Sequence, residues 1–96
     1  MSPKNKIKLN KLRKKLDKLD YQLLKAIKKR TEIIKKVIKL KSYKNEIVDK
    51  KRISTILKKI KKESLKRNID PKITNRIWKN MIWSYIDFEK RNFKKK

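Results

Sequence analysis

The chain of 96 residues contains no glycine and only two prolines, and this constrains its fold more than any other feature. Glycine and proline are the residues that most often interrupt helices and form tight turns. Apolar residues recur at steps of three and four through most of the sequence, as they do in amphipathic helices. We therefore predict an all-α chain with few breaks. The lack of glycine also excludes Gly-rich phosphate loops and the dinucleotide-binding fingerprint.

Three helices are predicted, over residues 6–41, 50–66 and 70–93. Polar residues 42–49 and the break at residues 67–69 separate them. Asp49 and Asp70-Pro71 have the composition of helix starts, with a capping carboxylate before the first turn. We expect one domain over residues 1–96, with frayed tails at residues 1–5 and 94–96.

The first predicted helix is longer than an ordinary globular helix and carries an apolar stripe along its length. The stripe contains Leu9, Leu12, Leu16, Leu19, Leu23, Ile27, Ile34 and Val37. Such a helix must project beyond its own domain or pair along its length, and a plain coiled coil is the simplest alternative. The third helix offers the core Ile73, Ile77, Trp78, Met81, Ile82, Tyr85 and Phe88.

The chain has no Cys and no His, which limits both its chemistry and its means of stabilisation. Disulfides, structural zinc sites of Cys and His, and nucleophilic triads with a His base are excluded. A domain this small gains stability from oligomerisation, so we expect the chain to oligomerise. No apolar run is long enough to cross a bilayer and no signal peptide is visible, so we expect a cytosolic protein.

The formal net charge of +25 suggests polyanions as partners. A dedicated nucleic-acid site needs a basic face, whereas Lys is spread over almost the whole sequence. We therefore predict only incidental nucleic-acid binding, and keep a basic helical nucleic-acid-binding module as an alternative function.

Two cations and one carboxylate fall on faces that should be apolar. On a helical wheel Arg30 and Lys41 lie within about 20° of each other, near the middle of the first helix's stripe, and Glu89 lies between apolar residues of the third helix. Burying an unpaired charge is costly, so each needs a counter-ion. The cations could pair with Asp49 or Glu89, and Glu89 with Lys41 or Arg30. Otherwise they form a binding site.

Arg13 lies at the edge of the same stripe, about 25 Å along a rigid helix from Arg30. A single ligand cannot touch both within one chain, but two antiparallel copies could bring Arg13 of one beside Arg30 of the other. Arg52, at the start of the second helix, could close such a site from above, since helix N-termini attract anions.

The order of these motifs resembles the all-helical chorismate mutase family over nearly the whole chain. The segment from Leu12 to Asp20, LRKKLDKLD, is similar to the family's opening motif, and KRTE at residues 29–32 to its mid-helix Arg segment. Lys41 stands where the family has its helix-ending Lys. Asp49 and Arg52 resemble the Asp-x-x-Arg that opens helix two, and Asp70-Pro71 the start of helix three.

The resemblance implies an interlocked homodimer of three-helix chains that rearranges chorismate to prephenate without a cofactor or metal. The partner's Arg13 and the chain's own Arg30 would bind the carboxylates of this small dicarboxylate substrate. Lys41 would contact a carboxylate and the ether oxygen of the breaking bond. Arg52 would add positive charge, and Asp49 would position the loop and the substrate hydroxyl.

Two positions depart from the family pattern. Glu89 stands where many members have a Gln that donates to the ether oxygen, and a carboxyl can donate only when protonated, so activity should fall as pH rises. Ile53 replaces a Glu that accepts from the ring hydroxyl. Ile53, the loop spacing and residues 81–86 resemble the isochorismate pyruvate-lyase branch, which forms salicylate and pyruvate. Ile53 and Tyr85 are therefore counted with the substrate-binding residues, and this lyase is the alternative activity.

Overall fold

The computed structural model describes residues 1–95 and consists of three α-helices and one short 3-10 helix. The α-helices are α1 (Pro3–Leu40), α2 (Lys50–Lys66) and α3 (Pro71–Asn92), and the 3-10 helix is Lys44–Glu46. The described residues contain no strand. The prediction of an all-α chain with three helices and a long first helix is confirmed.

The start of α1 lies three residues before the predicted one, because Ser2 caps the helix. The Ser2 hydroxyl accepts a hydrogen bond from the backbone N–H of Asn5 at 3.1 Å, and the Ser2 carbonyl accepts from the N–H of Lys6 at 2.9 Å. These bonds satisfy donors that the first turn of a helix leaves unpaired. Only the first two residues of the predicted N-terminal tail precede the helix. Of the predicted C-terminal tail, residues 94 and 95 are not helical, and Lys96 lies outside the described residues.

Aspartates cap α2 and α3 as predicted. A carboxylate oxygen of Asp49 accepts from the backbone N–H of Arg52 at 2.9 Å, and one of Asp70 accepts from the N–H of Lys72, also at 2.9 Å. Pro71 occupies the first turn of α3, where its missing N–H costs nothing. Both helix starts are therefore fixed by local hydrogen bonds.

Asn68 ends α2 in the left-handed conformation, with φ of 56°. The N–H of Asn68 bonds to the carbonyl of Leu65 at 3.3 Å, and the N–H of Ile69 to that of Ser64 at 2.9 Å. This pair of bonds is a Schellman motif. Asn is the residue other than Gly that best tolerates this conformation, and it serves here in a chain without Gly.

The chain divides into two compact units, Met1–Ile33 and the residues from Ile34 onward. The first unit lies almost wholly in α1, and most of its apolar stripe is exposed, with Leu12 at 55%, Leu16 at 57% and Leu23 at 60% of full exposure. Leu12, Leu16 and Leu23 therefore leave more than half of their surface open to solvent in the single chain.

The second unit is built on the packing of α2 along α3. Its buried core consists of Ile47, Ile82 and Ile86, and the partly buried hydrophobic residues around them are Val48, Ile53, Ile56, Leu57 and Phe93. The buried hydroxyl of Ser64 bonds to Thr74 at 2.7 Å and links the two helices. α2 and α3 therefore form a packed helix pair.

Two residues that the sequence assigned to the core are exposed. Ile73 and Ile77 of α3 remain more than half accessible in the single chain. The helical wheel places them correctly on an apolar face, but no other part of residues 1–95 covers that face. None of the described helices combines the length and the apolar character needed to span a membrane.

Candidate active site

Lys41 and Glu89 form an ion pair that the sequence allowed as one of its alternatives. Lys41 Nζ lies 3.0 Å from Glu89 Oε1 and donates a hydrogen bond to it. The side chain of Glu89 is 7% exposed and that of Lys41 is 19% exposed. A charge-assisted bond in such a shielded place is stronger than one at the surface. Lys41 is thus held at the edge of the core with its ammonium group oriented.

The helix ends place both members of this pair. Lys41 is the first residue after α1, and its N–H bonds to the carbonyl of Ile38 at 3.2 Å. Glu89 lies in the last turn of α3, three residues after Ile86 and seven after Ile82. These spacings put the carboxylate on the same face as the buried isoleucines. The face that forms the core therefore also buries Glu89.

A cleft of about 700 Å³ opens beside Lys41. Its lining residues are Lys41, Glu46, Val48, Asp49 and Lys50. This volume lies in the range of small-molecule sites. The cleft therefore presents both ammonium and carboxylate groups to a ligand.

Glu46 positions the loop that forms one wall of the cleft. The sequence analysis did not identify this role of Glu46. Glu46 Oε1 accepts hydrogen bonds from the backbone N–H groups of Tyr43, at 2.8 Å, and Ser42, at 3.2 Å. Ile47, the next residue, is buried and anchors the loop to the core. The spacing of three residues from Tyr43 to Glu46, typical of a capping turn, was the available signal.

Asp49 reaches the cleft, whereas Arg52 and Ile53 do not line it. The Asp49 carboxylate is engaged in capping α2, and the side chain of Arg52, on the first turn, is exposed. Ile53 is half-buried and lines a different cavity, of about 440 Å³, together with Trp83. One prediction was that Lys41 pairs with Asp49. In the structure Lys41 pairs with Glu89 instead.

Tyr85 lies on α3 one turn before Glu89 and is half-buried. Its ring meets the ring of Phe88 edge to face, with centroids 6.5 Å apart and an interplanar angle of 86°. This arrangement is a favourable aromatic contact. Tyr85 is thus part of the packing of α3.

Arg13 and Arg30 both lie in the first unit, on α1. Arg13 is exposed and Arg30 is half-buried. The 17 residues between them correspond to about 25 Å of helix, so a single α1 does not bring them together. Among residues 1–95, no group of three or more acidic side chains is placed to hold a metal ion.

The sequence profile of one known family matches most of this chain. The chorismate mutase type II profile aligns with residues 12–90, a range that runs from just before Arg13 to just after Glu89 and includes the ion pair and the cleft. No curated protein and no solved structure gave a significant match. A profile that covers this much of the sequence, on three helices with the expected bounds, identifies the family. The chain belongs to the chorismate mutase type II family.

Proposed function

We propose that this protein is a chorismate mutase that rearranges chorismate to prephenate in a site centred on Lys41. Family membership supports this type of reaction. The observation that carries the assignment is the position of Lys41, whose ammonium group is oriented by Glu89 at the mouth of a cleft that Asp49 also lines.

The proposed reaction breaks one C–O bond and forms one C–C bond within the substrate, so it requires no cofactor, nucleophile or metal. The protein has to hold the compact conformer of the substrate and stabilise the negative charge that develops on the ether oxygen. In this proposal Lys41 donates to the ether oxygen and to a carboxylate. Asp49 accepts from the substrate hydroxyl, and Arg52 contributes positive charge at the start of α2.

The Lys41–Glu89 pair has a direct consequence for this mechanism. The Glu89 carboxylate, which accepts a hydrogen bond from Lys41 at 3.0 Å, and the ether oxygen compete for the same ammonium group. An amide in this position would leave the ammonium group to the substrate and could itself donate to the ether oxygen. We therefore propose that Glu89 positions Lys41, and that Glu89→Gln has at least the wild-type rate with chorismate.

The proposal includes a homodimer in which residues 1–96 of each chain form one domain. A dimer is needed because a single chain cannot supply both arginines to one site. Arg13 and Arg30 are about 25 Å apart on α1, so a substrate with two carboxylates can meet both only if Arg13 comes from a partner. The exposed stripe of α1 supplies a reason to associate, since burial of each Leu or Ile contributes about 1.5–3 kcal/mol. An antiparallel pair of α1 helices would cover the stripe and bring the two arginines together.

The dimer can be tested without reference to activity. Light scattering on a sizing column should give twice the mass of the chain. Leu16→Ser, in the exposed stripe, should shift the protein toward monomer, whereas Lys14→Ser, on the opposite face of α1, should leave the mass unchanged. A monomeric wild-type protein at micromolar concentration would contradict the shared site.

Ile53 favours an alternative activity, the elimination of pyruvate from isochorismate. Its apolar side chain cannot accept a hydrogen bond from the ring hydroxyl, and it lies half-buried among apolar residues. A site in which Asp49 is the only acceptor for this hydroxyl discriminates less well between chorismate and isochorismate than one with a second acceptor. The lyase would use the same cleft and the same Lys41, and it would also need no cofactor.

The products distinguish the two activities. Purified protein is incubated with chorismate and, separately, with isochorismate, and prephenate, salicylate and pyruvate are measured from pH 5 to 8. We expect prephenate from chorismate, with a rate that Lys41→Ala lowers by about 100-fold or more, equivalent to about 3 kcal/mol of transition-state stabilisation. Lys39→Ala, an exposed neighbour, serves as the matched control. Salicylate and pyruvate from isochorismate, without prephenate, would replace the mutase by the lyase, and no product from either acid would refute both.

A further inference from the structure

The α2–α3 pair carries a groove beside the Lys41 cleft, and Ile53 lies in this groove and not in the cleft. Two adjacent cavities, of about 420 Å³ and 440 Å³, share Leu57 and Lys58 and so continue into each other along the two helices. We name this feature the lysine-rimmed groove. Its rim consists of Lys50, Lys58, Lys61 and Lys72, and its floor of Ile53, Leu57, Pro71 and Trp83.

The rim has charge of one sign only. No Asp or Glu is among the residues that line either cavity. None of the four rim lysines forms an ion pair with a carboxylate of residues 1–95, in contrast to Lys66, which pairs with Glu63 at 3.8 Å. Four uncompensated ammonium groups around one groove attract an anion with several charges.

Trp83 gives the groove an aromatic surface. Its side chain is 54% exposed, whereas its neighbour on α3, Ile82, is buried in the core. Lys50 and Lys58 line the same cavity as the indole ring. Exposed tryptophan beside lysine is the combination that binds a base by stacking and its phosphate by charge.

The groove differs from the candidate active site in both position and chemistry. Only Lys50 borders the groove and the Lys41 cleft alike, and the acidic groups Glu46 and Asp49 lie on the cleft side. On the wheel of α3, Trp83 lies about 120° from the exposed Ile77, so the groove is also distinct from the apolar flank of that helix. The groove and the cleft therefore have different linings except at Lys50.

We propose that the lysine-rimmed groove binds single-stranded nucleic acid, with phosphates on the rim lysines and a base stacked on Trp83. From Lys50 to Lys61 the rim extends about 16 Å along α2. At about 3.4 Å for each stacked nucleotide, this length accommodates about five nucleotides. An acidic amphipathic peptide could also contact the apolar floor, but it has no base to stack on Trp83, and the comparison of oligothymidylate with polyglutamate separates the two occupants. This inference does not depend on the mutase activity.

Fluorescence anisotropy of a labelled oligothymidylate of about 12 nucleotides tests the site in the full chain. Lys58→Gln/Lys61→Gln/Lys72→Gln removes three groove charges, and the matched control, Lys14→Gln/Lys18→Gln/Lys25→Gln, removes three from the exposed polar face of α1. The groove variant should bind at least tenfold more weakly, and its slope of log K against log salt should be lower by about 2, at about 0.7 for each lost contact. The control should change the affinity by less than about threefold. Equal loss in both variants would show that binding is diffuse and would overturn the site.

Trp83→Ala provides a second test that does not alter charge, and its exposed position keeps the core intact. Loss of one stacked base should weaken oligothymidylate binding by about fivefold or more, while binding of polyphosphate, which has no bases, should not change. In Trp78→Phe, the remaining Trp83 fluorescence should be quenched by the oligonucleotide. Unchanged oligonucleotide affinity of Trp83→Ala, or tighter binding of polyglutamate than of oligothymidylate, would overturn the assignment to nucleic acid.

Discussion

Removing either member of the Lys41–Glu89 pair should cost stability, and the two losses should be unequal. Lys41→Met leaves the Glu89 carboxylate, 7% exposed, without its counter-ion. Breaking a buried pair in this way typically costs about 3–5 kcal/mol. Glu89→Leu leaves Lys41, which is 19% exposed and can turn its ammonium group toward water along a flexible stem, so we expect a loss of only about 1–2 kcal/mol.

The double variant Lys41→Met/Glu89→Leu completes a thermodynamic cycle. With both charges replaced by apolar groups, its stability should lie within about 1 kcal/mol of wild type, because no unpaired charge remains. Urea unfolding followed by circular dichroism at one fixed protein concentration gives the four free energies. Lys39→Met is the control for the loss of an exposed lysine. The reasoning is refuted if Lys41→Met is no less stable than Glu89→Leu, or if the double variant is the least stable of the three.

Three further predictions concern local features of the fold and the site. Asn68→Gly should stabilise the chain by about 0.5 kcal/mol in thermal unfolding, because Gly adopts the left-handed φ of 56° without steric strain. Asn68→Val should destabilise it by about 1–2 kcal/mol, because a β-branched side chain increases that strain. Equal stabilities would contradict the C-cap assignment. Glu89→Gln no longer competes for the ammonium group of Lys41 and can donate to the ether oxygen, so its rate with chorismate at pH 7 should be at least the wild-type rate, and a clearly lower rate would contradict this competition. The hydrogen bond from Arg67 and the charge of Lys66 lower the pKa of Glu63 below 4.5. The ionised Glu63 therefore stabilises the fold near pH 7, and this contribution is lost as pH falls through 4.5 and below. Glu63→Gln should be less stable than wild type at pH 7, and the difference in stability should shrink in acid.

Local signals explain why the helix bounds were predictable. Asp49 and Asp70 cap the helices that follow them through hydrogen bonds to backbone only two or three residues ahead, and Pro71 adds a second local signal. Ser2, which begins α1, was missed because the predicted start followed the apolar stripe instead of the cap. The 3-10 helix Lys44–Glu46 was missed because it has no apolar periodicity and depends on hydrogen bonds to the Glu46 side chain.

Packing was harder to predict than secondary structure, and Ile73 and Ile77 show why. A helical wheel identifies an apolar face, but it does not say whether the same chain covers that face. The wheel did place Lys41 and Glu89 on faces where a charge needs a partner, and the structure pairs them. The choice between this pair and a pair with Asp49 or Arg30 could not be made from the sequence, because it depends on how the end of α1 meets α3. The meeting of Arg13 with Arg30 stays a prediction, since it requires a second chain.

Complementation between two inactive variants tests most directly the claim that two chains build each site. Arg13→Ala and Lys41→Ala damage the site from different chains, so a mixed dimer contains one intact site and one site with both defects. Unfolding and refolding the two variants together at equal amounts should restore about a quarter of the wild-type prephenate rate. Arg30→Ala mixed with Lys41→Ala is the control, because both residues come from the same chain and no intact site can form. Recovery in the first mixture only is the predicted result, and no recovery in the first mixture would contradict a shared site.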